Sequence, residues 1–307
     1  LQSIALLPAN GGVSKMNIDA PRVLEHNASV AEALREAAKL LAAQGDTSFR
    51  VNAYLNAAKT VEELREDIAV IATRGPEALD ALPHIGKSIA SAIAQLTATG
   101  RWPQLERLRG TLEPELVFQD IPGIGPVFAH LIHEHLHVDT LEALEAAAHD
   151  GRLDTVPGIG KRRIKIIQSS LASILGRRRP MAQRSPFAAA PSVGTILDVD
   201  REYRGKAAAG GLKLISPRRF NPGGVAWLPI LHTTRDQWQF TALFSNTARA
   251  HELGKTADWV IIFYASDHAV ENQCTVVTET MGQLKGKRVV RGREKECAEF
   301  LHNSAAG

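Results

Sequence analysis

The sequence has few of the features that mark secreted, membrane-bound or metal-stabilised proteins. It contains only two cysteines in 307 residues, Cys274 and Cys297, and they form no Cys-x-x-Cys pair. Neither a disulfide framework nor a structural zinc site is therefore expected. No stretch approaches the roughly 18 uncharged apolar residues that a membrane-spanning helix needs. These absences favour a cytoplasmic protein without a membrane partner.

The overall charge is only weakly basic, with a formal net charge of +3 and a pI near 8.9. Any nucleic-acid surface must therefore come from local clustering of Lys and Arg rather than from the charge of the whole chain. The hydrophobic content of 44% in 307 residues is enough for two or more packed cores.

The two halves of the chain differ in pattern. From Asn27 onward, apolar residues recur at helical spacing as far as residue 175. Prolines, alanines and arginines then replace that periodicity up to residue 191, as in an exposed connection. Extended runs follow, such as Thr195–Val199 and Trp227–His232, with one clear helix over Asn246–Leu253. The sequence predicts a multi-domain α plus α+β fold, with an all-helical N-terminal half and a mixed α/β C-terminal domain. Its expected parts are a tag or leader (1–15), a first helical domain (16–109), a second (110–179), a linker (180–191) and the C-terminal domain (192–303).

A short pattern occurs three times in the helical half: an apolar residue, proline, any residue, isoleucine and glycine. The three copies are Leu82–Gly86, Ile121–Gly125 and Val156–Gly160. Apolar residues follow each final glycine at the same two distances, four and seven residues on, so each copy leads into a helix with the same buried face. The repeat predicts three helix-hairpin-helix elements.

Glycine in such a hairpin allows backbone angles that other residues resist, and it leaves no β-carbon between the backbone and a ligand. Amides at the start of the next helix can then bind an anion, with help from the helix dipole. A row of such sites binds DNA phosphates without reading sequence. The first copy has His84 in place of its first glycine, and the third leads into a basic tract. Expected DNA-binding residues are Gly86, Lys87, Gly123, Gly125, Gly158, Gly160, Lys161, Arg162, Arg163 and Lys165.

The order of these motifs resembles the N-terminal region of the family X DNA polymerases. The resemblance rests on Phe49–Tyr54, Leu82–Lys87, Ala98–Arg101 and Ile121–Pro126. It implies a lyase-like domain that holds a 5′ phosphate at a DNA gap, with Arg50, Tyr54 and Lys87 at that pocket. It also implies a K⁺ or Na⁺ ion at the second hairpin, held by the backbone carbonyls of Gln119, Ile121 and Ile124.

Two departures argue against the chemistry of that family. Ala92 occupies the position of the lysine that forms the Schiff base, and an alanine cannot form an imine. Abasic-site lyase activity would need another amine, with Lys87 or Lys59 the nearest candidates. The only Asp-x-Asp, Asp198-Val199-Asp200, follows Gly194 too closely for the family's nucleotide-binding helix. Polymerase activity is therefore not expected.

Two further hypotheses from the sequence concern metal binding. Asp198 and Asp200, placed on one side of a strand, could hold a divalent metal for a nuclease, or they could be solvated carboxylates at a strand edge. His130, His133 and His137 recur on one helix face and could bind zinc, although solvent-facing histidines are the commoner case.

The leading hypothesis is a bacterial, nucleoid-associated protein of DNA repair that binds duplex, gapped or nicked DNA through its phosphates. The alternative is a DNA-processing enzyme, either a lyase or a metal-dependent nuclease. The C-terminal domain could also bind a protein partner.

Overall fold

The computed structural model describes residues 20–175, 190–266 and 269–305. The expected leader and nearly all of the expected linker lie outside these ranges. Within them, no helix is both long and apolar enough to cross a membrane.

Six helices form the first part of the structure. They are α1 (Ala20–Ala43), α2 (Ser48–Glu63), α3 (Ile68–Thr73), α4 (Pro76–Asp80), α5 (Lys87–Thr99) and α6 (Pro103–Arg109). Local chemistry sets their ends: Asp67 accepts the Ala69 amide at the start of α3, and Gly100 and Gly110 end α5 and α6 in the left-handed conformation.

Four further helices form a second compact unit around an apolar core of its own. They are α7 (Pro114–Gln119), α8 (Pro126–Leu136), α9 (Leu141–His149) and α10 (Lys161–Ile174), with a single 3-10 turn over Arg152–Thr155. Residues Phe118, Ile132 and Ile167 are fully buried at its centre.

The last part is a six-stranded antiparallel meander in which each strand pairs with the next along the chain. Its strands are β1 (Lys213–Ile215), β2 (Leu228–Arg235), β3 (Trp238–Phe244), β4 (Val260–Ser266), β5 (Ala269–Thr278) and β6 (Arg288–Val290). Its helices are α11 (Val193–Ala208), α12 (Ala248–Glu252) and α13 (Glu294–Ala305). The expected mixed C-terminal domain is thus confirmed, as is the all-helical N-terminal half.

The predicted strand over Thr195–Val199 is wrong, because this segment is the first half of α11. Ser192 caps the helix by accepting the Thr195 amide at 3.1 Å. The residues that α11 buries recur at helical spacing: Val193, Ile196, Leu197, Val199, Asp200 and Tyr203. The β-branched residues in this stretch suggested a strand, but burial against the sheet decides the conformation.

The sheet is apolar on both faces, and each face has a different partner. Leu243, Ile261 and Phe263 point to the helices of the first part and share one core with them. Phe240 and Ile262, with opposite side-chain direction, pack against α11, in a core that also includes Cys297 of α13. The first helical part and the sheet are therefore joined by a continuous apolar interface.

Candidate nucleic-acid interface

The three hairpins adopt the same four-residue turn. In each, the isoleucine amide donates to the carbonyl of the first residue, over 3.3, 3.0 and 3.2 Å in chain order. Proline stands second, and the third residue has a positive φ: 61° at His84, 90° at Gly123 and 80° at Gly158. This is the geometry of a type II turn, which favours proline and then glycine in these positions.

The final glycine of each turn is the N-cap of the following helix. Gly86, Gly125 and Gly160 have φ of −82°, −89° and −93°, and no side chain caps these three helices. The first amides of a helix have no partner within the helix itself. A β-carbon at Gly125 or Gly160 would meet no atom within 4 Å. These two helix ends are therefore open to a phosphate.

The second and third hairpins pack against each other reciprocally. A β-carbon at Gly123 would lie 3.7 Å from Ile166 on α10, and one at Gly158 would lie 3.3 Å from Phe128 on α8. Arg163 covers the Phe128 ring at 4.0 Å and donates to the Gly158 carbonyl at 2.9 Å. Arg163 thereby stabilises the third turn and the contact between the two hairpins, and its expected contact with DNA stays a prediction.

Three other cations remain exposed beside the third hairpin. Lys161, Arg162 and Lys165 form no ion pair with any residue that the structure describes. Val127, on the first turn of α8, is 70% exposed. The two hairpins with their open amides, together with these three cations, are called the tandem face below. The rest of the expected basic tract lies outside the described residues.

The first hairpin borders a groove of about 670 Å³. Exposed Phe49, His84 and Lys87 line it, and Gln239 and Ser266 of the sheet close one side. His84 holds a left-handed conformation that glycine takes in the other two turns. The groove lies where the family resemblance expects a 5′-phosphate pocket.

Two residues expected to bind phosphate at this groove are buried and already paired. Arg50 is 4% exposed and donates to Asp46 and to Thr241 of the sheet, each at 3.2 Å. Tyr54 is 3% exposed, donates to Gln104 at 3.0 Å, and burial raises its pKa. As direct phosphate ligands they do not fit this position. Their hydrogen bonds connect the wall of the groove to β3 through Thr241 and to α6 through Gln104.

The position that would carry the Schiff-base lysine is occupied by Ala92, and this position is also shielded from solvent. Ala92 is buried, and next to it Glu142 of α9 accepts hydrogen bonds from Ser91 and Gln95, both at 2.7 Å. Ala92 lines a small cavity together with Glu142 and Glu271, and it does not line the groove at the first hairpin. Nothing in the local sequence around Ala92 signals this contact, because Glu142 is 50 residues away.

The expected cation ligands lie around the second turn. The Ile121 carbonyl accepts the turn-closing hydrogen bond from the Ile124 amide at 3.0 Å. A carbonyl oxygen has a second lone pair, so this bond leaves room for a metal contact. The K⁺ or Na⁺ site with Gln119, Ile121 and Ile124 stays a prediction.

The nuclease reading of Asp198 and Asp200 is corrected by the structure. Both lie on α11, not on a strand. Asp200 is 1% exposed and binds Arg288 through both oxygens, at 2.6 and 3.0 Å, with Arg204 at 3.1 Å. Asp198 accepts from Arg235 at 3.0 Å. Two guanidinium groups neutralise Asp200 where a nuclease would need an open divalent metal.

The three expected zinc ligands, His130 and His133 on α8 and His137 just after it, form no metal-binding group with one another among the described residues. His133 is buried, with Nε2 2.8 Å from Asp139 and Nδ1 3.3 Å from both Glu115 and Glu134. Glu115, His130 and Glu134 lie close enough to hold a metal ion. Arg219 of the C-terminal part already binds both glutamates, at 2.9 and 3.1 Å. We call His133, Arg219, Glu115, Glu134 and Asp139 the junction cluster.

The junction cluster combines two cationic side chains, His133 and Arg219, with three carboxylates. Burial opposes the charged form of His133, but hydrogen bonds with Asp139, Glu115 and Glu134 outweigh it and raise its pKa well above 6.5. Burial likewise opposes the charge of Glu115 and Glu134, yet contacts with His133 lower the pKa of each to about 2. The Glu134 carboxylate also accepts the Ala248 and Arg249 amides at the start of α12. The cluster therefore fixes the hairpin tandem to the sheet.

We expect the free energy of unfolding to be highest between about pH 4.5 and pH 6.5, because the cluster is fully charged there. As the pH rises through the raised pKa of His133, its contribution is lost. As the pH falls from about 4.5 towards 2, the contributions of Glu115 and Glu134 are lost. Urea unfolding across this range measures the effect. His133→Gln should flatten the alkaline limb, whereas the same change at exposed His135 should not. Equal profiles for both variants would contradict the role of His133.

The fold and the repeated turns define the class: the N-terminal half is a helix-hairpin-helix region. Residues 25–102 match the family described as helix-hairpin-helix domain. Residues 115–173 match the family described as SAM-like helix-hairpin-helix tandem, in agreement with the reciprocal packing of the second and third hairpins.

The chain is also similar to a particular curated protein, the DNA polymerase/3′-5′ exonuclease PolX of Bacillus subtilis (strain 168). The two are 25% identical over 179 residues, which is 58% of this chain. The matched part is only 29% of the length of that relative. Together with the two family matches, this similarity supports a PolX-like helix-hairpin-helix region.

Proposed function

We propose that this protein binds DNA in a sequence-independent manner through the phosphates of its backbone, and that it acts in DNA repair on duplexes with gaps or nicks. The observation that carries the proposal is the tandem face. Two turns of the same type present open helix N-termini, and three exposed cations lie next to one of them.

The physics of this face favours the backbone of DNA over its bases. Helix amides form hydrogen bonds with anionic oxygens, and the helix dipole adds a favourable potential. Long flexible lysines follow a phosphate row as point charges. The tandem face offers backbone amides and exposed cations, groups that position a protein on phosphates, whereas sequence is read by contacts with base edges. It therefore suits a ligand of uniform geometry and high charge density.

The groove at the first hairpin favours DNA with a strand end over continuous duplex. It is large enough for a nucleotide, and Lys87 and His84 stand at its rim beside the amides of α5. Lys87 is exposed, and an exposed ammonium is a suitable phosphate ligand but a poor Schiff-base nucleophile, which needs desolvation. Binding of an end is thus better supported than lyase chemistry.

Fluorescence anisotropy over a salt series tests the proposal. Affinity should fall linearly with salt on logarithmic scales and should be the same for unrelated sequences of equal length. Replacing Lys161, Arg162 and Lys165 together by glutamine should reduce the slope by about 2 to 3, since each lost phosphate contact removes roughly 0.9.

The matched control removes three equally exposed cations that lie away from the tandem face: Lys59, Arg201 and Arg218, with side chains 74%, 73% and 71% exposed. It carries the same change in net charge and should leave the slope nearly unchanged. If both triple variants lose the same slope, binding depends on net charge and the tandem face is not the site. Gapped, nicked and continuous duplexes in parallel test the preference for an end.

A further inference from the structure

A cavity lies where the three parts of the chain meet. Its volume is about 70 Å³, and it is bounded by the segment from α6 to α7, by α8, by the sheet and by the loop after β1. Most of its wall is apolar: Leu112, Ile215, Leu228, Leu243, Ile261 and Phe263. It is separate from the tandem face and from the groove at the first hairpin.

Arg107 stands in the wall of this cavity and is not fully satisfied. It is 3% exposed, and its Nη2 atom donates to both oxygens of Glu271 at 2.7 Å. The guanidinium stacks on Phe263 at 3.5 Å. Its Nε and Nη1 atoms are buried and have no hydrogen-bond partner within the part of the chain that the structure describes. Buried N–H groups without a partner are costly, and more so on a charged group.

The unpartnered N–H groups of Arg107 are what favour an anion in this cavity. His133 and Arg219 also line it, but the carboxylates of the junction cluster offset their charge, and Asp139 is the one carboxylate among the described residues of the wall. The carboxylates that pair with Arg107 and Arg219 do not belong to the wall. Asn246 adds an amide that can donate a hydrogen bond.

Size and polarity narrow the class of ligand. A water molecule occupies roughly 10–15 Å³, so a cavity of about 70 Å³ has room for roughly five to seven non-hydrogen atoms. Binding sites of this kind combine apolar walls with a few placed polar groups. Inorganic phosphate is small enough, but it would place oxygens against the leucines. A short aliphatic carboxylate matches both the polar and the apolar part of the cavity. Its oxygens can accept hydrogen bonds from a guanidinium, and its alkyl chain can contact the apolar wall.

We propose that this cavity binds a short-chain organic carboxylate, held by the free N–H groups of Arg107, at the contact between the hairpin tandem and the sheet.

Isothermal titration of the whole protein tests the proposal with four probes at constant ionic strength: propionate, butyrate, 1-propanol and inorganic phosphate. Propionate or butyrate should bind saturably, at least tenfold more tightly than either 1-propanol or phosphate. Equal binding of 1-propanol would show an apolar cavity without anion recognition. Preferential binding of phosphate would overturn the carboxylate class. No saturable binding by either carboxylate would mean that water alone satisfies Arg107, and would end the proposal.

Two variants locate the binding. Arg107→Met combined with Glu271→Met removes the guanidinium without leaving its partner buried and unpaired, and should weaken carboxylate binding at least tenfold. Leu243→Phe fills the cavity while it keeps every charge, and should do the same. Arg152→Met removes an exposed guanidinium elsewhere and should have no effect. Circular dichroism confirms that each variant folds. Unchanged carboxylate binding in a folded Leu243→Phe variant would exclude this cavity as the site.

Discussion

Replacing Gly125 and Gly160 together with aspartate is expected to remove most DNA binding while the protein stays folded. Both glycines have ordinary negative φ, and a β-carbon at either meets no atom within 4 Å. Aspartate is also among the preferred N-cap residues, because its carboxylate accepts amides of the first helical turn. The substitution should therefore be neutral or stabilising for the fold.

The same carboxylate occupies the anion site that we assign to phosphate. It uses the free amides and repels the DNA backbone at two points. Losing a hydrogen bond to a charged group costs roughly 1.5–3 kcal/mol. Two such sites together should thus weaken binding by about 3–6 kcal/mol, which is at least a hundredfold by the usual conversion of about 1.4 kcal/mol per factor of ten.

Anisotropy titration with a gapped duplex measures the loss, and urea unfolding checks stability. The control is Gly205→Asp in α11, where a β-carbon is equally free of contacts and the change in charge per site is the same. Gly205→Asp should bind like the unaltered protein. If the double variant is stable and binds DNA with unchanged affinity, the hairpin amides do not contact phosphate and the proposed function is wrong.

The hairpins could be predicted from sequence because their structure is local. Proline in the second position and glycine in the third specify the turn within four residues, and the buried face of the next helix repeats at fixed distance. His84 obeys the same turn because Leu82, Pro83 and Ile85 enforce it, and the positive φ is then imposed on a residue that resists it.

The burial of Arg50 and Tyr54 could not be predicted, because although Asp46 is only four residues from Arg50, their other partners are remote in sequence. Thr241, which binds Arg50, lies 191 residues away, and only the packing of the sheet on the helices brings the two together. The contact of Arg107 with Glu271, 164 residues apart, was unpredictable for the same reason. The resemblance to the family X polymerases covers only the N-terminal half, so it could not indicate which residues of that half contact the C-terminal part.

The assignment of α11 failed for a different reason. Its β-branched residues and its Asp-x-Asp pattern favour a strand over a few residues, whereas its helical periodicity becomes visible only over a longer window that includes Tyr203. The burial of Asp200 could not be predicted either, because its partner Arg288 lies on β6. This strand has only three residues, too few to show the alternation of apolar and polar residues that identifies a strand.

Asp200→Ala is therefore expected to unfold the C-terminal part far more easily, rather than to abolish a catalytic step. The carboxylate is almost completely buried and binds Arg288, which donates in turn to Asp258 and to the carbonyl of Val276. Removing Asp200 deprives Arg288 of two hydrogen bonds and leaves Asp258 as its one remaining carboxylate partner among the described residues, so the cost should lie near the lower end of the roughly 3–5 kcal/mol expected for breaking a buried pair. Urea unfolding followed by tryptophan fluorescence should show this loss as a lower midpoint.

The control is Asp198→Ala, because the Asp198 side chain is 43% exposed and its ion pair with Arg235 lies near the surface. An exposed ion pair contributes about 0–1 kcal/mol, so this variant should unfold almost like the unaltered protein. The pair of variants also separates the two interpretations of the Asp-x-Asp pattern. A metal-dependent nuclease would lose cleavage with either aspartate. A structural Asp200 predicts that only Asp200→Ala is destabilised, and that both variants, under conditions where they are folded, bind DNA through the tandem face with unchanged affinity.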